Sequence, residues 1–234
     1  TISDTSAASD PQSVTYYTLP TAPSAPTVSL SPAAGTIATS VTATAGGASC
    51  NYGTLQYLID YRIDDGTWIA GTWGTGTTRT ANSNQGDKYG FRATARCING
   101  TQTLAGSVGA EVTVITGVQA PAAPTVSGTG PTWSWTPSAC VTGSSPYYQY
   151  QFSYWTGSGW AAGGSWTWTS ATTITNPAAT SQGVTYGINV QEYCYSGYTN
   201  SAYSSAANGG TFVVPVVHVK VQYAALKLLT GGYP

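Results

Sequence analysis

The sequence predicts an all-β protein made of two tandem β-sandwiches followed by an extra C-terminal strand. Three observations support this fold class. Short segments alternate apolar with polar residues, turn-forming residues separate them about every 8–12 positions, and a unit of about 95 residues occurs twice. Neither copy contains the apolar stripe that is typical of an amphipathic helix.

The strands of the first copy follow one another along the chain. Residues 41–44 form a β-branched alternation, and residues 57–63 form a strand closed by the turn signal Asp64-Asp65-Gly66. Residues 89–97 alternate with period two, and residues 112–115 end the copy. We therefore predict about seven short strands per copy, which is the number typical of a sandwich.

The second copy repeats these elements, with strands predicted at 133–135 and 149–154. The segment 25–29 recurs as 123–127, at an offset of 98 residues. Gln85, Tyr89 and Cys97 recur at a constant offset of 97 residues, as Gln182, Tyr186 and Cys194. The offset falls to 90–93 residues between positions 50 and 68, as expected when loops vary in length and strands do not.

The repeat also predicts the domain organisation. We expect an N-terminal extension, a first sandwich, a short stiff linker, a second sandwich and an apolar tail. These segments span residues 1–21, 22–116, 117–122, 121–214 and 215–234. No signal peptide or membrane anchor is recognisable, so we expect Thr1 to be a mature or engineered start.

Two motifs carry a resemblance to a known fold family. The Ala-Pro-Thr-Val opening of each copy resembles the first strand of fibronectin type III and immunoglobulin-like modules. The Gln-Gly-x-x-Tyr-Gly motif resembles their tyrosine-corner region, which implies that the phenols of Tyr89 and Tyr186 hydrogen-bond to backbone upstream. Each cysteine follows its tyrosine by eight residues rather than two, which favours a bacterial relative. The segment 89–100 is similar to surface and pilin-like proteins of ultra-small episymbiotic bacteria.

Four cysteines without C-x-x-C spacing argue against a zinc ribbon or a redox motif. They allow three pairings, and the repeat favours one bridge within each copy, Cys50–Cys97 and Cys140–Cys194. Such bridges persist in oxidising surroundings, so we expect an extracellular or cell-surface protein. The alternative is four reduced, buried thiols in a cytosolic protein.

The charge content excludes several function classes. Charged residues are 6% of the chain and the net charge is -1, so a nucleic-acid partner is not expected. The single histidine, His218, rules out a multi-histidine metal site, and no cofactor or metal is predicted. Of the acidic residues, only Asp60 and Glu192 lie on predicted strands, and they belong to different copies. We therefore expect no catalytic site and no enzyme.

Six of the eight tryptophans lie in the second copy. Trp133 and Trp135 share one strand face, as do Trp166 and Trp168, and these four form the candidate aromatic contact surface. Coplanar exposed indoles bind sugar rings, whereas buried indoles only pack the core. Because two indole pairs exceed what one core usually holds, we expect at least one pair to be partly exposed, for contact with a glycan or a protein.

Two further candidates lie outside these surfaces. Asn99-Gly100-Thr101 is a glycosylation sequon at Asn99. In the tail, Val217, Val219, Val221 and Tyr223 share one face of a strict alternation, and we interpret them as a candidate donor strand. The tail either pairs with a neighbouring subunit or folds back as an eighth strand, unless part of it is of cloning origin.

These observations predict a non-enzymatic extracellular structural protein. The resemblance implies a subunit of a surface filament, a pilus or an adhesive stalk, whose partners are copies of itself or a cell-surface protein or glycan. We predict no membrane-spanning segment in this sequence. The alternative is a carbohydrate-binding accessory module of a secreted enzyme.

Overall fold

The computed structural model describes residues 20–128 and 130–217. The chain divides into two compact units. The first contains the residues up to Val118 together with Val141–Ser144 and Ser196–Asn200, and the second contains the rest of the chain from Gln119. The described residues form strands, turns and loops, and none of them forms a helix that could cross a membrane.

The first unit is a sandwich of two antiparallel sheets. One sheet has the order β1-β2-β4, and the other has the order β3-β5-β6, with β7 also paired to β5. The strands of this unit are β1 (Thr27–Ser31), β2 (Ser40–Gly46), β3 (Thr54–Ile63), β4 (Thr78–Asn82), β5 (Lys88–Asn99), β6 (Gln102–Val108) and β7 (Val112–Ile115). The four strands expected from the sequence therefore lie within β2, β3, β5 and β7.

The alternation in β5 decides which face packs in the first core. Phe91, Ala93 and Ala95 point inward and are buried, whereas Arg92 and Thr94 between them face outward. They pack against Val41 and Ala43 of β2 and Tyr57 of β3. Burying such apolar surface contributes roughly 25 cal/mol per Å² and is the main favourable term in the folding of the unit.

The predicted turn at the end of β3 is present. Asp64 and Asp65 both have left-handed backbone conformations, with φ of 53° and 56°, and Gly66 donates a hydrogen bond to the Ile63 carbonyl at 2.9 Å. Two consecutive residues with positive φ define a type I′ turn, and aspartate tolerates this conformation better than most residues.

The second unit has the same two-sheet plan with more interruptions. One sheet has the order β13-β9-β8, and the other β11-β10-β14-β15, with β12 paired to β10 and β16 to β14. The strands are β8 (Thr125–Ser127), β9 (Thr132–Thr136), β10 (Ser145–Trp155), β11 (Trp160–Ala162), β12 (Thr167–Thr169), β13 (Thr173–Thr175), β14 (Thr185–Tyr195), β15 (Ala207–Asn208) and β16 (Phe212–Val213). Both units are immunoglobulin-like sandwiches of the fibronectin type III kind.

Trp133 and Trp135 form the centre of the second core, which corrects their prediction as a contact surface. Trp133 is 0% exposed and Trp135 4%, and both point from β9 toward β10. The Trp133 indole N–H donates to the Gly210 carbonyl at 2.7 Å, and the Trp135 ring meets Tyr148 edge-on. The strand register turns this face inward, because Trp133 stands opposite Ile174, which also packs against the core.

The two disulfide bonds connect the cysteines as the repeat predicts. Cys50 is joined to Cys97 and Cys140 to Cys194, at sequence separations of 47 and 54. In each unit the bridge ties the loop after the second strand of one sheet to the central strand of the other. No cysteine of the chain is free.

Two serines cover part of the edge of β14 that β15 and β16 leave open. Ser204 Oγ accepts a hydrogen bond from the Glu192 N–H at 3.0 Å, and Ser201 Oγ accepts one from the Cys194 N–H at 2.9 Å. Their own N–H groups donate to the Glu192 and Cys194 carbonyls. The segment that contains these serines thus provides hydrogen-bond partners for the backbone N–H and C=O groups of β14, although it does not form a regular strand. Buried backbone groups require such partners.

Candidate functional site

The acidic residues have structural roles in the first unit. Asp60 accepts a hydrogen bond from the Gly71 N–H at 3.1 Å and pairs with Arg92 at 3.3 Å. Asp87 accepts from Ser83 and from the Asn84 N–H, which holds the loop before β5. Each of these two carboxylates thus accepts hydrogen bonds from groups of its own unit, an arrangement that stabilises the loops.

Arginines and aromatic rings cover the outer face of the first unit. The Arg92 guanidinium lies 4.2 Å from the centre of the Trp68 ring, and Arg62 lies 5.0 Å from the same ring. Arg62 is fixed in turn by Glu111, with a charge-assisted hydrogen bond of 2.7 Å. These cation–π contacts close the surface around Trp68 and leave little of its ring free to bind a ligand.

The second unit has no charged side chain on its described surface. Between residues 119 and 217, Glu192 is the one ionisable acid or base of the Asp, Glu, Lys, Arg and His types, and it is 0% exposed. A partner of this surface must therefore be recognised through hydrogen bonds, aromatic contact and shape, because ion pairing is unavailable to it.

Trp168 lies in an exposed aromatic cluster on the outer face of β10 and β14, and Trp166 beside it is half-buried. The cluster consists of Tyr147, Trp168, Tyr193, Tyr195 and Tyr203. Trp168 is 56% exposed, but its ring meets Tyr193 at 88°. Trp168 meets Tyr193 edge-on, whereas Tyr147 and Tyr193 are stacked. Of the two predicted pairs, Trp166 and Trp168 are partly exposed, and Trp133 and Trp135 are in the core.

A pocket of about 400 Å³ lies beside Trp160 on the same outer face, and sequence reasoning missed it. Its floor is Gly187 of β14, where an added Cβ would lie 3.2 Å from two atoms of the Trp160 ring. Asn189 and Asn208, directly opposite each other on β14 and β15, form one wall. We call this the Trp160 pocket; Ser153, Ile188, Gly209 and Thr211 complete its lining.

The repeat explains why only the second copy has this pocket. Trp160 corresponds to Trp68, and the strand pairing puts Gly187 at the position of Arg92, because Asp60 lies opposite Arg92 and Ser153 lies opposite Gly187. Arg92 lies over Trp68, whereas Gly187 has no side chain to occupy the space beside Trp160. Asp60, which holds Arg92, corresponds to Ser153 in the pocket. Comparing the two copies position by position is the sequence signal that would have found it.

Glu192 is a buried carboxyl in the second core. Its Oε2 accepts a hydrogen bond from the Ser138 N–H at 2.9 Å, while Oε1 has no partner within the described residues. Burial raises the pKa of Glu192, and hydrogen bonding to Ser138 opposes the shift. Glu192 also lies with Cys140 and Cys194 in a group of metal-type ligands, but the disulfide bond leaves no thiolate to bind an ion.

Replacing Glu192 with glutamine should stabilise the second unit at neutral pH by about 1 kcal/mol, because it removes a buried charge that is only half paired. A carboxyl whose pKa is raised on folding favours the folded state most at low pH, and this contribution disappears as pH rises from about 4 through the folded pKa. Urea unfolding from pH 4 to 8, followed by tryptophan fluorescence, should show the gain over wild type growing with pH. A gain that is constant with pH would contradict the assignment.

Tyr89 lies where the tyrosine corner is predicted. Its ring is fully buried, and its hydroxyl lies next to the backbone of Ser83 upstream. Burial raises the pKa of Tyr89 to about 12, with a further contribution from Asp87 and an opposing one from the Ser83 backbone. Tyr186 packs in the second core, where no hydrogen bond joins its phenol to a described residue. Both rings pack in the core of their unit, and the tyrosine-corner hydrogen bond stays a prediction.

The remaining predicted sites are placed as follows. Asn99 ends β5 at the turn into β6, and its modification stays a prediction. Val217 is exposed at the end of the described chain, and Val219, Val221 and Tyr223 lie outside the described residues. The donor strand therefore stays a prediction as well.

No protein-family model matches the chain, and neither does a curated protein. Solved structures similar to it include the FN1–FN3 domains of chicken CNTN1, at 14% identity, with 84% of this chain and 68% of that chain covered and a TM-score of 0.33. Another is a segment of two fibronectin type III domains from chicken tenascin, at 18% identity, covering 80% and 97%, with a TM-score of 0.40. The fold assignment rests on the strand order and register described above.

Proposed function

We propose that this protein is a non-enzymatic extracellular structural protein, a subunit of a surface filament, a pilus or an adhesive stalk. The observation that carries the proposal is the pair of disulfide-bonded sandwiches, each held by one internal bridge. Such bridges persist outside the reducing cytosol. The carboxylates occupied by loop contacts support a mechanical rather than a catalytic role.

The surface charge supports assembly. The net charge of the whole chain is -1, and the described surface of the second unit is uncharged. Proteins with a net charge near zero lack the mutual repulsion that keeps many soluble proteins apart. The apolar alternation that starts at Val217 supplies a strand able to add to the sheet edge of a neighbouring copy. Head-to-tail addition of this kind gives an open filament.

Deleting residues 216–234 should abolish filaments while leaving both sandwiches folded, because the deleted segment contains the proposed donor strand. Negative-stain electron microscopy measures assembly, and circular dichroism measures folding. Val219→Asp with Val221→Asp should act like the deletion, whereas His218→Ser with Gln222→Ser, on the opposite face of the alternation, should assemble normally. Filaments that persist after the deletion would reject strand donation.

A second candidate function is carbohydrate binding. The observation that favours it is the uncharged outer face of the second unit, which combines an exposed aromatic cluster with the Trp160 pocket. Binding of a neutral glycan is compatible with either an adhesive stalk or an accessory module of a secreted enzyme. A glycan array probed with the purified protein tests it.

A further inference from the structure

The Trp160 pocket combines the three features that a neutral sugar requires. Trp160 is 49% exposed and gives an apolar wall against which the C–H face of a pyranose ring can stack. The side chains of Asn189, Asn208 and Thr211 make no hydrogen bond to a described residue, so their donors and acceptors remain for a ligand. Each asparagine amide offers one acceptor and a donor group, which suits a pair of neighbouring hydroxyls.

We propose that the Trp160 pocket binds a neutral hexopyranose, as one residue of an oligosaccharide chain. The pocket volume of about 400 Å³ falls within the usual range of small-molecule sites. No ionisable side chain lines it, so an acidic sugar would lose hydration without gaining an ion pair. The inference rests on the carbohydrate-binding candidate above and names its site and ligand class; it does not depend on filament formation.

The comparison of the two copies indicates that the pocket binds a ligand and is not merely an irregularity of the surface. In the first unit the corresponding space is filled by Arg92, which is held by Asp60 and stacked on Trp68. In the second unit the two positions of that ion pair are held by uncharged residues, Gly187 and Ser153, which lie opposite each other, while the tryptophan is retained. The second copy has therefore lost the group that fills the space and kept the groups that contact a ring.

Titration calorimetry on the whole chain tests the proposal. The neutral probes are cellotetraose, maltotetraose, galactotetraose and chitotetraose, and sialyllactose is the acidic probe. We expect at least one neutral probe to bind, with an affinity unchanged between 50 and about 500 mM NaCl because no ion pair is formed. Trp160→Ala should weaken binding at least about tenfold, as the loss of a stacking surface predicts.

Asn189→Arg is the second variant, because a longer, charged side chain on the wall of the pocket should fill it without disturbing the core. It should abolish binding while the thermal unfolding midpoint stays near that of wild type. Trp168→Ala is the matched control, since it removes an equally exposed indole from the aromatic cluster. Loss of binding in Trp168→Ala alone would overturn the inference and leave the carbohydrate-binding candidate intact. Failure of every neutral probe to bind wild type would overturn both.

Discussion

Replacing Trp133 with alanine is expected to destabilise the second unit by about 3–5 kcal/mol. The residue is fully buried at the centre of β9, so its removal leaves a cavity between the two sheets. The Gly210 carbonyl also loses the indole donor. Since a domain of this size is stable by only about 5–15 kcal/mol, the unit would lose a large share of its stability. Urea unfolding with fluorescence detection measures the loss.

Trp135 supplies the matched comparison. Its indole N–H is buried with no hydrogen-bond partner in the described chain, unlike that of Trp133. Trp133→Phe should therefore cost more than Trp135→Phe, because the first change leaves the Gly210 carbonyl unpaired and the second removes an unpaired donor. We expect the difference to be about 1–3 kcal/mol. Equal losses in the two variants would contradict the hydrogen bond to Gly210.

Removing the bridge of the second unit, by Cys140→Ala with Cys194→Ala, is expected to cost about 4 kcal/mol. The bridge closes a loop with a sequence separation of 54 residues, and the entropy of the unfolded chain rises when that loop opens. The midpoint of urea unfolding followed by tryptophan fluorescence should fall accordingly, because six of the eight tryptophans are in this unit.

The bridge of the first unit provides the control for this experiment. Cys50→Ala with Cys97→Ala opens a loop of similar separation, 47 residues, and should cost the first unit about the same amount. The main fluorescence transition should then be unaffected, since the two units have separate cores. A fluorescence midpoint that is unchanged after removal of Cys140 and Cys194 would show that the second bridge contributes little.

Several strands and one turn could be predicted because both depend on local signals. The period-two alternation of residues 89–97 places Ala93 and Ala95 in the core, and the type I′ turn follows from Asp64-Asp65-Gly66. The repeat limited the disulfide pairing to one choice, because each copy contains two cysteines at matching positions. Period, turn chemistry and duplication were sufficient for the fold class.

Which face of an alternating strand points to the core could not be predicted from the alternation. Trp133 and Trp135 share a face, but alternation alone does not say whether that face points to the core or to solvent. The repeat contained the answer: at the offset of 90 residues that relates Cys50 to Cys140, these tryptophans correspond to Ala43 and Ala45, which are buried. The second copy has tryptophans where the first copy has alanines, so the residues that surround these positions in the core differ between the two units.

The Trp160 pocket could not be predicted from either copy alone. It depends on a side chain that is absent, the counterpart of Arg92, and on a loop that brings Trp160 back over Gly187. Such a cavity cannot be recognised from the types of residue that line it, because glycine, asparagine and threonine are common throughout the chain. Only the difference between equivalent positions marks it.

The serine-covered edge of β14 limits where a foreign strand could enter the second sandwich. Ser201 and Ser204 already satisfy the amide groups of Glu192 and Cys194, so a strand arriving there must first displace them. A peptide that adds a strand to this sheet would more readily pair with β11 or β12, which form the opposite edge. Polymer growth, if it proceeds through this unit, is thereby directed to one side of it.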